Sequence, residues 1–286
     1  MKPDLLTLLK CPTCSGELNA STDESGLVCQ QCGQMTRMQT GVPLFTVPPV
    51  QMVPSEKIAR GPQIGTPWRR ANWHFLQGQI ARLAPEALIL DVGAGRGDFA
   101  DLFHVRNYLA LDVYPYPEVD IVCDLTQANP FRSESFDAIL LMNVMEHVFD
   151  THTLLATLSG LLKTGGVIIV AIPFLVKIHQ APIDYVRYTH YALQGLGEVH
   201  GLETDTLEGY FDPVFFLGEG IGNLRWGVLP AVKGSKRYLA RAALVGIEGL
   251  SGLLSRAIGA GQSQPPAAVR SSAPTGYHVV YRKGSL

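Results

Sequence analysis

A chain of 286 residues with 47% apolar content has room for one large α/β domain and a small accessory module, and 17% charged residues place it outside the disordered class. The net charge of −2 gives no global sign of nucleic-acid binding, yet it is unevenly spread. From Arg225 onward nine Lys and Arg oppose a single acid, Glu248, leaving that stretch at +8 and the body before it at −10. With no run of about 18 uncharged apolar residues, and no apolar core or cleavage site in the opening MKPDLLTLLKCPTC, neither a spanning helix nor a signal peptide is expected.

Residues 1–47 form a cysteine-punctuated module. Cys11-x2-Cys14 and Cys29-x2-Cys32 lie 14 residues apart. Each pair can turn tightly and offer two thiolates, so together they suit a tetrahedral zinc with no open position, a structural site in a reducing cytoplasm. The gap is one short of the usual window. A Pro-rich connector, 48–67, follows with Pro48, Pro49, Pro54, Pro62 and Pro67. The main domain, 68–286, opens with helical signal over Trp68–Leu83.

Beyond it strands and helices alternate. ALILDV, NYLALDV, VDIVCDL, FDAILLMNV and GGVIIVAIP read as buried strands, DFADLFHV as a helix after the first, and another helix starts near Glu146. Short apolar runs bounded by Gly, Asp and Pro predict a parallel sheet covered on both faces. THYALQGLGEVHG is a helix capped by Thr189 and stopped at Gly201. LETDTLEGYF and GYHVVYRK read as the final strands, separated by a helical basic insert at about 218–262 and a Gln/Pro/Ser/Ala loop.

The first strand runs into Asp91-Val92-Gly93-Ala94-Gly95-Arg96-Gly97, and Asp112 ends the next strand 21 residues after Asp91. Glycines there permit a tight turn and close backbone approach to a ligand, and the second carboxylate suits ribose hydroxyls. The turn lacks the GxGxxG of dinucleotide sites. Asp91 would repel a pyrophosphate but suits a cationic amino-acid moiety.

Over about residues 70–217 and the last strand, this pattern resembles the class I S-adenosylmethionine-dependent methyltransferases. That resemblance implies a Rossmann-like, seven-stranded, doubly wound α/β sheet and S-adenosylmethionine as cofactor. Asp91, Gly93, Ala94, Gly95 and Gly97 match its first motif. Asp112 with Val113 would hold ribose, Asp124 and Leu125 would flank adenine, and Asn143 takes the fourth-motif position ahead of Glu146-His147-Val148. Asp124 could equally cap a strand end, and His147 could be a structural histidine. LLTLLKCPTCSGEL…LVCQQCG…TGVPLFTVP resembles a bacterial zinc-ribbon family related to the activating subunit of tRNA and release-factor methyltransferases, although Thr40 replaces the usual acid.

The loop His179-Gln-Ala-Pro-Ile-Asp184-Tyr185-Val-Arg187-Tyr188-Thr189 resembles one in a broad set of bacterial methyltransferases. It belongs outside the carboxyl ends of the strands, where ligands of open α/β sheets bind. Asp184, Tyr185, Arg187 and Tyr188 are candidate acceptor contacts, or an Asp184–Arg187 clasp with packed tyrosines. An oxygen acceptor would need a base, His179 first and His147 second.

The expected function is methyl transfer to a small or lipid- or glycan-linked metabolite. The alternatives are an RNA methyltransferase that grips RNA with its ribbon, or an inactive partner subunit. Few basic residues in the ribbon (Lys2, Lys10, Arg37) speak against RNA. Between Gly234 and Ala260, apolar Leu239, Ala243, Leu250, Leu253, Leu254 and Ile258 recur at near-helical spacing among Lys236, Arg237, Arg241 and Arg256. Such a helix either packs on the fold or a second subunit, or lies on an anionic membrane face. The expected location is the cytoplasm, with the inner membrane surface as the peripheral alternative.

Overall fold

The apolar runs pair as a parallel sheet of β5 (Leu88–Val92), β6 (Asn107–Asp112), β7 (Ile121–Val122), β8 (Phe136–Met142) and β9 (Leu162–Pro173), in the order β7-β6-β5-β8-β9. β11 (Gly276–Lys283) then lies antiparallel between β9 and β10 (Leu202–Tyr210). The computed structural model describes residues 4–23, 25–49, 61–103, 107–210, 220–222, 224–257 and 274–284. Most of the Pro-rich connector, the Gln/Pro/Ser/Ala loop with Ile258, parts of the 218–262 insert and the end of DFADLFHV therefore lie outside the described residues.

Successive strand residues point to opposite faces. On β8, Ile139 and Leu141 enter a core with Leu154, Leu155 and Leu158 of α3 (Thr151–Leu161). Ala138, Leu140 and Met142 enter a second core with Trp68, Trp73 and Leu76 of α2 (Pro67–Ile80). Burial on both sides is why these strands read as unbroken apolar runs. Thr189 caps α4 (His190–Val199) as expected, and Thr66 and Asp150 likewise accept backbone N–H groups at the starts of α2 and α3.

The helix expected from DFADLFHV is, in its described part, only a 3-10 turn over Ala100–Phe103. Leu102 N–H bonds to the Phe99 carbonyl, and the Asp98 carbonyl that an α-helix would use is taken by Arg69 Nη2 at 2.8 Å. Likewise Met145–His147 is a single turn, and the helix itself begins at Thr151.

The cysteine module is an antiparallel meander of β1 (Leu18–Ala20), β2 (Gly26–Cys29), β3 (Met35–Gln39) and β4 (Val42–Leu44), preceded by α1 (Leu5–Leu8). It joins the main sheet. β4 runs parallel to β7 with Leu44 opposite Val122, and Phe45 N–H donates to the Val122 carbonyl at 2.9 Å. Leu9 bridges Phe131, flanked by Lys10 N–H to the Pro130 carbonyl and Arg132 N–H to the Leu8 carbonyl. Leu9, Leu18 and Leu27 thereby share one core with the sheet.

α5 (Lys236–Ala257) packs through Leu244 and Ala240 on Ile221 and Leu229. On its other side Leu239, Leu250 and Leu253 are 73%, 67% and 63% exposed.

α2 is tied to β11 by His278, which lies buried between Trp68 and Phe75, its ring stacked at 5.1 and 4.2 Å from theirs. Its Nε2–H donates to Asn72 Oδ1 at 2.8 Å. Burial pushes its pKa down to about 3, so the folded chain refuses a proton that the unfolded chain accepts below about pH 6.5. Stability should therefore fall as pH drops from about 6.5 toward 3, by up to roughly 1.4 kcal/mol per unit. Denaturant titrations at pH 7, 6 and 5 should show this slope in the wild type and a flatter one in His278→Gln, which retains a donor without titrating there.

Candidate active site

The strands β5, β6, β8 and β9 end on one side of the sheet, and neighbours on either side of β5 are reached in opposite directions, so a crevice opens there. Gly93, Gly95 and Gly97 take φ of 75°, 56° and 72°, the left-handed region that glycine alone enters freely. A Cβ on Gly93 would meet Val144 Cγ2 at 2.5 Å, whereas at Gly95 nothing lies within 4 Å. The turn is packed at its start and open at its tip.

Backbone and carboxylate fix this turn to β6. Gly93 and Ala94 N–H donate to the Leu111 carbonyl, and Gly95 N–H donates to Asp112 Oδ2 at 2.8 Å. Asp112 Oδ1 accepts from Tyr114 N–H at 2.9 Å, and burial raises its pKa. Asp91, also buried, is pushed up to about 7 by desolvation, against which the Tyr108 hydroxyl donates at 2.6 Å. A carboxylate held this way gains by meeting a cation.

Asp124 stands at the end of β7 and caps the turn after it, accepting from Thr126 N–H, Thr126 Oγ1 and Gln127 Nε2, while its own N–H donates to Thr46 Oγ1 of the cysteine module. Leu125 is buried beside it, and Val113 is half-buried beyond Asp112. Asn143, after β8, sits at φ 58° and accepts from Trp68 Nε1 at 2.8 Å.

The loop after β9 folds back on the turn after β8. His147 Nδ1–H donates to the Ile183 carbonyl at 2.6 Å, and Tyr185 N–H donates to the Glu146 carbonyl. His179 Nδ1 lies 3.2 Å from Asp184 Oδ2, and the His147 and His179 rings meet edge to face at 5.0 Å. Asp184 is buried and gripped through both oxygens by Arg187, whose hydrogen bonds hold its carboxyl well below the usual range. Asp184 and Arg187 thus form a clasp. Tyr188 is drawn inward, its hydroxyl 2.7 Å from Thr151 Oγ1, whereas Tyr185 is exposed and edge-on to Phe149.

Sequence reasoning passed over Glu146 as a site residue. Its side chain is 0% exposed, both oxygens lack a hydrogen-bond partner among the described residues, and burial raises its pKa to about 8. The signal was its place directly before His147 at a strand end. Tyr108, an ordinary strand residue by pattern, gave none.

The four module cysteines converge, with Cys11 Sγ 3.7 Å from Cys32 Sγ and Cys14 Sγ 3.4 Å from Cys29 Sγ. Tetrahedral zinc with bonds of about 2.3 Å needs edges of about 3.8 Å, so the donors fit such an ion. Backbone N–H groups of Cys32 and Gln31 lower the Cys29 thiol to about 6, favouring the thiolate.

Residues 68–202 match the family model described as a methyltransferase domain. The N-terminal segment is similar to a UPF0434 protein of Methylobacillus flagellatus, 32% identical over 57 residues that make up 20% of this chain and 95% of that one. Among solved structures, a SAM-dependent methyltransferase from Archaeoglobus fulgidus is similar at 16% identity and a TM-score of 0.48, over 75% of this chain and 94% of that one. The 1,6-didemethyltoxoflavin-N1-methyltransferase of Burkholderia thailandensis is similar at 18% identity and a TM-score of 0.46, over 76% and 79%.

Removing the Tyr108 donor should raise the Asp91 pKa above its value of about 7. The carboxyl carbon shift of labelled aspartate, followed by NMR against pH, should show a higher midpoint for Asp91 in Tyr108→Phe. An unchanged midpoint would mean that the hydroxyl does not support the anion.

Proposed function

We propose that this chain, which carries a class I S-adenosylmethionine-dependent methyltransferase domain, transfers the methyl group to an oxygen of a small or lipid- or glycan-linked metabolite. S-adenosylmethionine supplies an activated methyl group on a sulfonium. Gly93, Ala94, Gly95 and Gly97 would offer it backbone, Asp91 its amino-acid end a counter-charge, Asp112 and Val113 the ribose a seat, Asp124 and Leu125 the adenine a wall, and Asn143 a contact from the fourth-motif position. The open tip at Gly95 fits this, since a ligand can approach the main chain there.

The observation that carries the oxygen reading is the His179–Asp184 pair. The Lys177 carbonyl, which can only accept, lies 3.4 Å from Nδ1, and Asp184 Oδ2 lies 3.2 Å from the same nitrogen while accepting the His179 backbone N–H at 2.8 Å, so Nε2 holds the lone pair; the side chain is 31% exposed. A hydroxyl placed there can lose its proton to Nε2 while Asp184 steadies the resulting imidazolium. His147, locked by Ile183 and with its pKa lowered by burial, serves as its neighbour. Tyr185 and Phe149 offer an exposed aromatic edge beside the pair.

We assign the module, 1–47, a structural zinc on Cys11, Cys14, Cys29 and Cys32, 48–67 the role of connector, and 68–286 the catalytic domain. Among described residues the module offers Lys10 and Arg37 against Asp4, Glu17 and Asp23, which does not favour RNA. Tritiated methyl transfer in fractionated extract should label organic or lipid-extractable material. Label in RNA would overturn the reading. With the acceptor found, His179→Ala should lower kcat by on the order of a hundredfold or more at near-normal cofactor affinity. Gly95→Asp should instead abolish cofactor binding.

The exposed stripe of Leu239, Leu250 and Leu253 beside Lys236 and Arg237 supports contact of α5 with an anionic lipid face, near a lipid-linked acceptor. Among the described residues no helix is long and apolar enough to cross a membrane. The full chain should sediment with anionic vesicles and not with neutral ones, and removal of 234–260 should abolish this. Indifference to both vesicle types, or binding that survives the deletion, would end the idea.

A further inference from the structure

We propose that Glu146, His147 and His179 hold a divalent transition-metal ion, and that the oxygen of the methyl acceptor completes its coordination. Glu146 Oε1 lies 3.8 Å from His147 Nε2 and 3.8 Å from His179 Nε2, and the ligand atoms of all three lie within 4.8 Å of one another. At those separations they make no hydrogen bonds with one another. Both Glu146 oxygens and His147 Nε2 are buried without a partner among the described residues.

The hydrogen positions follow from the outer partners. The Ile183 carbonyl can only accept, so His147 Nδ1 carries its proton and Nε2 a lone pair. The Lys177 carbonyl, 3.4 Å from His179 Nδ1 with the Asp184 carboxylate 3.2 Å from the same nitrogen, sets the same tautomer there. Three lone-pair donors therefore converge with no hydrogen shared between them. Leaving such groups buried and unpaired is costly, and a cation at the centre satisfies all of them.

The outer contacts are those a metal site uses. Metal-binding imidazoles ordinarily donate their other N–H to a carbonyl or carboxylate, and here one of each is present, the carboxylate fixed by Arg187. Two imidazoles and one carboxylate suit first-row divalent ions and leave positions open. Glu146 is 0% exposed and His147 14%, against 31% for His179, so the open side faces the crevice. This deepens the oxygen-acceptor reading and rests on it. With an ion bound, His179 Nε2 would be a ligand in place of the base, and the acceptor's proton would pass to water on the exposed side of the cluster. The ion would orient the acceptor oxygen and lower its pKa.

The test is cobalt(II) titration of the purified full chain, followed by visible absorption. One equivalent should bind with ligand-field bands and no thiolate charge-transfer band. Glu146→Gln, His147→Gln and His179→Gln should each weaken binding at least tenfold, and Asp184→Asn by about 10- to 100-fold. Cys29→Ser should leave this uptake unchanged. Should the buried variants fail to fold by circular dichroism, His179→Gln decides, because it changes a partly exposed loop residue. Absence of uptake, or equal uptake in the wild type and His179→Gln, would overturn the proposal. S-adenosylmethionine calorimetry on the same samples separates the two readings. Intact cofactor binding without cobalt uptake removes only the ion, whereas cobalt uptake without cofactor binding removes the transfer reading.

Discussion

The pairing of β4 with β7 is the contact on which the outer half of the molecule depends. β7 is two residues long, and without β4 its outer N–H and C=O groups would form a bare sheet edge. A single register pair, Leu44 with Val122, extends the sheet into the cysteine module, and the Leu9–Phe131 bridge seals the seam. The module is too small to build a core alone. Sharing Leu9, Leu18 and Leu27 with the main core meets that need from one side, and the convergence of its four thiols suits a metal tie on the other. The same contact reaches the crevice, since Thr46 accepts the N–H of Asp124. A module that looks accessory by sequence therefore positions one wall of the candidate cofactor site.

Several polar groups are held against solvation. Asp91, Glu146 and His278 are buried, and burial moves each toward its neutral form. They differ in compensation. His278 has aromatic faces on both sides and a hydrogen bond to Asn72, so its neutrality suits a joint between α2 and β11. Asp91 accepts from the Tyr108 hydroxyl and leads into the glycine turn, while Glu146 has no hydrogen-bond partner among the described residues. A buried carboxyl with few hydrogen-bond donors gains most from a nearby positive charge, and these two stand in β5 and just after β8, neighbouring strands at the crevice.

What could be read from the sequence follows the range of the forces involved. The doubly wound core was legible because burial on both faces writes itself as apolar runs, and the glycine turn because left-handed backbone demands glycine at fixed spacing. The cap Thr189 is equally local. The joining of β4 to β7 was not legible, since one register pair across 78 residues leaves no periodic trace. Nor was the shortening of the helix after the turn, which depends on Arg69 taking the Asp98 carbonyl from 29 residues away. At the site, the Asp184–Arg187 clasp is visible as an i, i+3 pair, but the meeting of His147 with His179 needs the loop to fold back.

These differences divide the crevice by how its parts are built. Its candidate cofactor side is made of short turns shaped mainly by Gly93, Gly95 and Gly97 and by the carboxylates of Asp112 and Asp124, with Thr46 behind the last. Its other side is made of Glu146, His147 and a long loop, and it holds shape only because Arg187 clamps Asp184, Asp184 orients His179, and Tyr185 and Ile183 bond back to the turn after β8. That loop makes its own tertiary scaffold where the strands supply none. Such an arrangement suits a domain in which one cofactor is constant while the acceptor varies. Changes in the loop can reshape this side of the crevice without disturbing Gly93–Gly97 or Asp112. The exposed Phe149 and Tyr185 belong to neither the clasp nor the core, so substitution there disturbs the fold least.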